Sequence, residues 1–134
     1  TRECGGLPDF EYNTPAYISY NGIKIKEFPM SLYSFFGKKI VYSGGGYFRI
    51  LPYNFLRYIT NKSDYVMTYF HPSDFDPGQP HMKHLSLLRR FKNEAGLNNS
   101  FPKFQKYLSE FNFINITEAD KLIDWENAKT VFLK

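Results

Sequence analysis

The chain has 134 residues, 43% hydrophobic and 19% aromatic, with 14 Phe and 11 Tyr. That is enough apolar material for one domain with a packed core, and it excludes a disordered chain. The formal charge is +4. The basic residues Lys24, Lys26, Lys38, Lys39, Arg89, Arg90 and Lys92 are scattered, so no basic arm and no nucleic-acid partner is expected.

A single cysteine, Cys4, excludes an internal disulfide. No apolar run approaches the ~20 residues of a membrane span, and no segment reads as a signal peptide. The chain begins at Thr1, which reads as a processed or truncated piece.

Residues 1–15 carry Gly5, Gly6, Pro8 and Pro15 and read as irregular. Residues 16–20 and 23–28 flank Asn21-Gly22, a dipeptide suited to the positive φ angles of a type I′ turn, so a hairpin is predicted. Ile23 and Ile25 alternate with Lys24 and Lys26, which predicts one buried face. Glu27 falls on that face; it either meets a partner there or ends the strand in water. Residues 29–36 read as a short helical turn or an irregular piece, and 39–42 as a short strand. Gly44-Gly45-Gly46 is either a flexible turn or backbone that must approach a neighbour closely; it matches no nucleotide-binding loop. Arg49, between Phe48 and Ile50, is either paired with a carboxylate or placed to meet one. Residues 52–61 read as a helix, with Pro52 in its first turn and Phe55, Leu56 and Ile59 on one face.

Residues 65–70, Tyr-Val-Met-Thr-Tyr-Phe, form a nearly continuous apolar run. This predicts a strand covered on both faces, as in parallel sheets. It delivers His71 into a polar loop with Asp74, Asp76 and three prolines. Residues 81–91 read as partly helical. His81 and His84 share a face there, without a third ligand to close a metal site. Ser100 is the expected N-cap of a helix with Pro102 in its first turn and Phe101, Phe104, Leu108 and Phe111 along its apolar stripe. Residues 113–116 read as a strand. Thr117 then caps a last helix, with Asp120 three residues on and Leu122, Ile123 and Trp125 on its apolar side. Helices alternating with strands predict an α/β fold with parallel pairing.

Four groups of residues carry a resemblance. They are Glu27-Phe28-Pro29; the run Gly44-Gly-Gly-Tyr-Phe-Arg-Ile-Leu-Pro-Tyr53; Tyr69-Phe-His71-Pro followed by Asp74-Phe-Asp76-Pro-Gly-Gln-Pro80; and Leu88-Arg-Arg-Phe91 followed by Gly96-Leu97. In order and spacing, over roughly residues 5 to 125, the chain resembles the C-terminal half of the bacterial polysaccharide deacetylases (the NodB-homology family). It is most similar to the subgroup found with exopolysaccharide and O-antigen gene clusters.

The resemblance implies a distorted (β/α) barrel of the glycoside hydrolase/deacetylase type, with active-site residues at the C-terminal ends of strands. It implies that His71 is the general acid that protonates the leaving amine as an acetamido group is hydrolysed. In the family, an Asp-His-His set binds a divalent metal, commonly zinc, and a further aspartate is the general base. Those residues have no match here. The expectation is therefore that residues 1–134 are a single unit, the C-terminal half of a catalytic domain whose metal-binding half lies upstream, and that this chain alone holds no metal. Asp74, Asp76 and Glu27 are the candidates to orient His71, and Arg49 and Tyr47 are expected to support the site or touch substrate. The implied partner is an N-acetylated glycan or sugar precursor, and the implied location is the cytoplasm, with an extracytoplasmic site as the alternative. A half barrel leaves strand edges open, so self-association is expected. The competing function is a non-catalytic glycan-binding or assembly module.

Overall fold

The computed structural model describes residues 13–79, 91 and 94–133. Helices and strands are mixed along the chain, as an α/β reading expects. Strands β1 (Ala16–Tyr20) and β2 (Ile23–Glu27) pair antiparallel, with Ala16 opposite Glu27. Asn21 and Gly22 between them hold φ angles of 49° and 80°, which is the predicted turn. A strand that the sequence did not announce, β5 (Thr130–Phe132), lies parallel to the other side of β1, giving the order β2-β1-β5. Three residues are too few to show alternation.

The burial expected of β2 is corrected. Ala16 and Ile18 of the central strand are buried, whereas Ile23 and Ile25 are 67% and 54% exposed. An outer strand is covered on fewer sides than its neighbour. The opposite face of this sheet is closed by Trp125, whose ring lies 5.1 Å from that of Tyr17 and 5.6 Å from that of Phe28. Lys26 caps this contact: its ammonium sits over the Trp125 ring and bonds Asp120 at 2.7 Å.

Residues 29–36 are not a helical turn. They contribute β3 (Leu32–Phe35), which pairs antiparallel with β4 (Lys38–Val41). Phe36 and Gly37 in the turn have φ angles of 46° and 75°. This is the Asn21-Gly22 geometry again, with a phenylalanine where turn rules look for Asn, Asp or Gly.

Helix α1 (Gly45–Ile50) follows, then α2 (Tyr53–Asn61) close to its predicted span, with Leu56, Ile59 and Thr60 buried. The core gathers Tyr42, Phe48, Leu56, Ile59 and Tyr107. Its phenols are satisfied internally: Tyr107 shares a 2.7 Å hydrogen bond with Thr60 Oγ1, and Tyr42 a 3.1 Å bond with Ser63 Oγ.

The run 65–70 is corrected from a strand buried on both faces. It is half-buried, and Tyr69 is 53% exposed. Its main-chain groups are met largely by serines. The Met67 N–H donates to Ser31 Oγ at 2.8 Å, Ser31 Oγ donates to the Tyr65 carbonyl at 3.5 Å, and Ser43 Oγ donates to the Met67 carbonyl. A hydroxyl both donates and accepts, so it can replace a ladder partner at a buried peptide. The run's regular pairing is one parallel bridge, from Tyr69 to Gly44.

Helix α3 (Leu97–Glu110) starts before the predicted cap. Gly96, at φ 76°, precedes it. Ser100 lies inside, fully buried, with its Oγ donating to the Leu97 carbonyl at 2.6 Å. The stripe is shifted too: Leu97, Ser100 and Tyr107 are buried, while Phe101 and Leu108 are 51% and 44% exposed. Residues 113–116 form no strand. Helix α4 (Ile116–Leu122) is capped by Asn115, not Thr117: Asn115 Oδ1 accepts from the Glu118 N–H at 2.9 Å, and Glu118 reaches back to the Asn115 N–H. His81, His84, Arg89, Arg90, Lys92, Cys4 and Pro80 lie outside the described residues. Among the described residues the two small sheets do not close into a barrel, and no helix is long and apolar enough to cross a membrane.

Candidate functional site

His71 stands where the run 65–70 meets a short 3-10 turn, Pro72–Phe75. Two phenylalanines bracket it and pin the main chain to the core. The Phe70 ring packs on Phe48 of α1 at 4.9 Å and on Phe104 of α3 at 5.0 Å. Phe75 packs on Phe104 at 4.8 Å and back on Phe70 at 5.4 Å. Edge-on and tilted ring pairs of this kind add to burial and fix orientation. Between these anchors His71 is exposed, with extended backbone angles.

Asp74 is the hinge of the arrangement. It is 8% exposed, and its Oδ2 accepts the main-chain N–H of His71 at 2.9 Å. Its own N–H donates to the His71 carbonyl at 2.9 Å. Its Oδ1 lies 3.4 Å from Nη1 of Arg49, and the two side chains are only 12% and 6% exposed. The arginine in its apolar stretch therefore has the carboxylate the sequence demanded. A buried pair of this type is tolerated because each charge compensates the other and further hydrogen bonds use the remaining lone pairs; removing one partner typically costs ~3–5 kcal/mol. Gly45 completes the seat. A Cβ there would lie 3.9 Å from both Asp74 oxygens, and its φ of 49° is left-handed.

Helix α1 carries Arg49 in its last turn, and Lys103 holds that same end. That ammonium donates to the carbonyls of Phe48, Arg49 and Leu51 at 3.2, 2.7 and 3.0 Å. Burial lowers the Lys103 pKa. The three carbonyl acceptors act the other way and favour the charged form.

The predicted site residues divide. His71, Asp74 and Arg49 come together. Tyr47 lies two residues before Arg49 on α1 and is 41% exposed. Asp76 is exposed beyond the turn, its Oδ1 accepting from the Gly78 N–H at 2.8 Å. Glu27 ends β2 and acts on the other end of the run. Burial first, and the Glu27 carboxylate second, push up the pKa of the Tyr65 phenol, which donates to the Pro29 carbonyl at 3.1 Å. Asp74 thus holds the peptide of His71. The Tyr69 ring lies against the imidazole, with centroids 4.8 Å apart and planes at 81°.

Tyr69, Lys103, Ser31 and Ser43 were not singled out in the sequence. Tyr69 had a signal, because it stands two residues before His71 in a strand-like run, where alternate side chains share a face. Lys103 had none: it acts on carbonyls more than fifty residues away. An accessible imidazole on a locked main chain is suited to passing a proton to or from a bound molecule.

One family matches the chain, described as a domain of unknown function (DUF3473), over residues 1–121. No curated protein and no solved structure matches.

Proposed function

The chain belongs to the DUF3473 family, a domain of unknown function, and we propose that it supplies the proton-donating part of a metal-dependent deacetylase acting on N-acetylated sugars of a surface glycan or its precursor, with His71 as the general acid. One observation carries this reading: an exposed histidine whose main chain is locked by the buried Asp74–Arg49 pair and by rings on both sides. The resemblance of the Tyr69-to-Pro80 motif to the polysaccharide deacetylases supplies the reaction class. In this reading the run 65–70 is a strand of a distorted (β/α) barrel and His71 stands at its C-terminal end; the parallel bridge from Tyr69 to Gly44 supports that placement.

The chemistry asks little of this chain beyond a well-placed proton. An amine leaves a tetrahedral intermediate readily only when its nitrogen is protonated, and an imidazolium is an acid of suitable strength near neutral pH. The His71 proton passes to the nitrogen as the C–N bond breaks, and the imidazole is left neutral. Asp74 and Arg49 are positioning residues that fix where the imidazole starts. Tyr47 and Asp76 stand at the exposed margin of the site.

The divalent metal implied by the resemblance would activate water and stabilise the oxyanion. Among the described residues no three His, Cys, Asp or Glu side chains come together. These residues do not fit that metal, and no step proposed here runs through it.

The test is acetate release from N-acetylglucosamine oligosaccharides by the protein as its gene encodes it in full. His71→Ala should lower kcat by ~100-fold or more and leave bound zinc unchanged. Equal loss of zinc would make His71 a ligand, and unchanged kcat would remove its role. The exposed aromatics Tyr47 and Tyr69 favour one alternative, a glycan-binding module without chemistry. Oligosaccharide binding with no acetate release would decide for it.

A further inference from the structure

Tyr69 is the exposed aromatic that the structure sets beside His71. The residue is 53% exposed, which is high for a large aromatic side chain. It is also held in place. Its residue is bridged to Gly44, so closely that a Cβ on Gly44 would fall 2.3 Å from the Tyr69 carbonyl oxygen. The next residue, Phe70, is packed into the aromatic core. Tyr69 and His71 therefore project to the same side of a fixed main chain, and their rings meet edge to face at 4.8 Å.

We infer that Tyr69 is a sugar-stacking residue of the His71 site, its ring receiving the apolar C–H face of a pyranose in an N-acetylated hexosamine oligomer. The inference rests on the reading of His71 as an acid acting on such a sugar. An aromatic ring binds a pyranose by covering its C–H face, and little ring ordering is needed when the main chain is already fixed. Because the Tyr69 and His71 rings lie 4.8 Å apart, a sugar stacked on Tyr69 lies beside the imidazole. Tyr69 gives uniform binding to ground and transition states, so its loss should appear in KM with kcat retained.

The probe is chitotetraose, followed by the ring NMR resonances of Tyr69 in the 134-residue chain, and by steady-state acetate release in the protein encoded in full. Saturating chitotetraose should shift the Tyr69 ring resonances. Tyr69→Ala should weaken binding and raise KM roughly tenfold with kcat unchanged, while Tyr69→Phe should keep both near wild type. Tyr69→Leu, apolar but without a flat face, should behave as Tyr69→Ala, which keeps the comparison informative if the alanine variant is poorly folded. Wild-type affinity in both Tyr69→Ala and Tyr69→Leu overturns the inference. The two readings fail separately. Loss of activity in His71→Ala with no KM effect at Tyr69 removes the stacking and leaves the acid. Chitotetraose binding at Tyr69 with no acetate release removes the acid and leaves the stacking.

Discussion

Gly44 shows how much a single hydrogen can decide. The triple glycine reads either as a flexible turn or as a close approach, and the structure selects the second at Gly44, where a Cβ would sit 2.3 Å from the Tyr69 carbonyl oxygen and 3.1 Å from Met30 Cε. The first contact is with backbone, so a rotamer change cannot relieve it. Gly44→Ala should destabilise the chain by about 2 kcal/mol, in the range of overpacking, and shift the Tyr69 and His71 amide resonances. Gly22 is the control. It has open space around it and a φ of +80°, so Gly22→Ala carries only the backbone term of ~1 kcal/mol. Urea midpoints of the two variants check this; a smaller loss at Gly44 than at Gly22 would show that the close approach is not structural.

Helix α1 illustrates an element that its own sequence does not justify. It has six residues, begins with two glycines and has no side-chain cap. Isolated helices of that length are unstable in water, and glycine disfavours them further. Its stability comes from contacts at its C-terminal end: Asp74 pairs with the Arg49 side chain, and Lys103 caps three carbonyls there. Lys103→Met keeps most of the apolar stem and removes the three donors. The expected cost is ~1–2 kcal/mol, about that of a charged hydrogen-bond set partly offset by the desolvation it no longer needs. Hydrogen exchange should localise the loss to α1 and leave α2 protected; equal loss in both helices would mean that Lys103 supports the whole core and not this one end.

At the scale of the molecule, the tyrosines make the core sensitive to alkali. Burial raises the phenol pKa values of Tyr42, Tyr65 and Tyr107, and burial with the Glu110 carboxylate raises that of Tyr53 to about 12. The unfolded phenols ionise near 10.0. Above that pH the unfolded state binds fewer protons than the folded one, so stability falls. The contribution is complete below pH 10 and is lost as pH rises; for Tyr53 the window runs from 10.0 to about 12. Tyrosinate absorbance should therefore show these four of the 11 tyrosines ionising together with the loss of far-ultraviolet circular dichroism. Ionisation of all of them before any loss of structure would contradict this packing.

What the sequence determined by itself was local. Asn21-Gly22 specified its turn, the spacing of Leu56 and Ile59 specified α2, and Arg49 in an apolar stretch demanded a carboxylate. Each signal lies within a few residues of its effect. The alternation of Ile23 and Ile25 foretold a strand but not its exposure, which depends on what lies across from β2. Only the tertiary structure decided that the serines Ser31 and Ser43 take up the main chain of 65–70, that Asp74 is the partner of Arg49 and grips the peptide of His71, that Lys103 ends α1, and that β5 joins β1. Apart from the grip of Asp74 on His71, three residues away, these contacts join residues 24 to 113 positions apart. Hydrogen bonds and ion pairs at that separation leave no periodicity in the chain; they exist only once burial has brought the groups together and removed the water that would otherwise satisfy them.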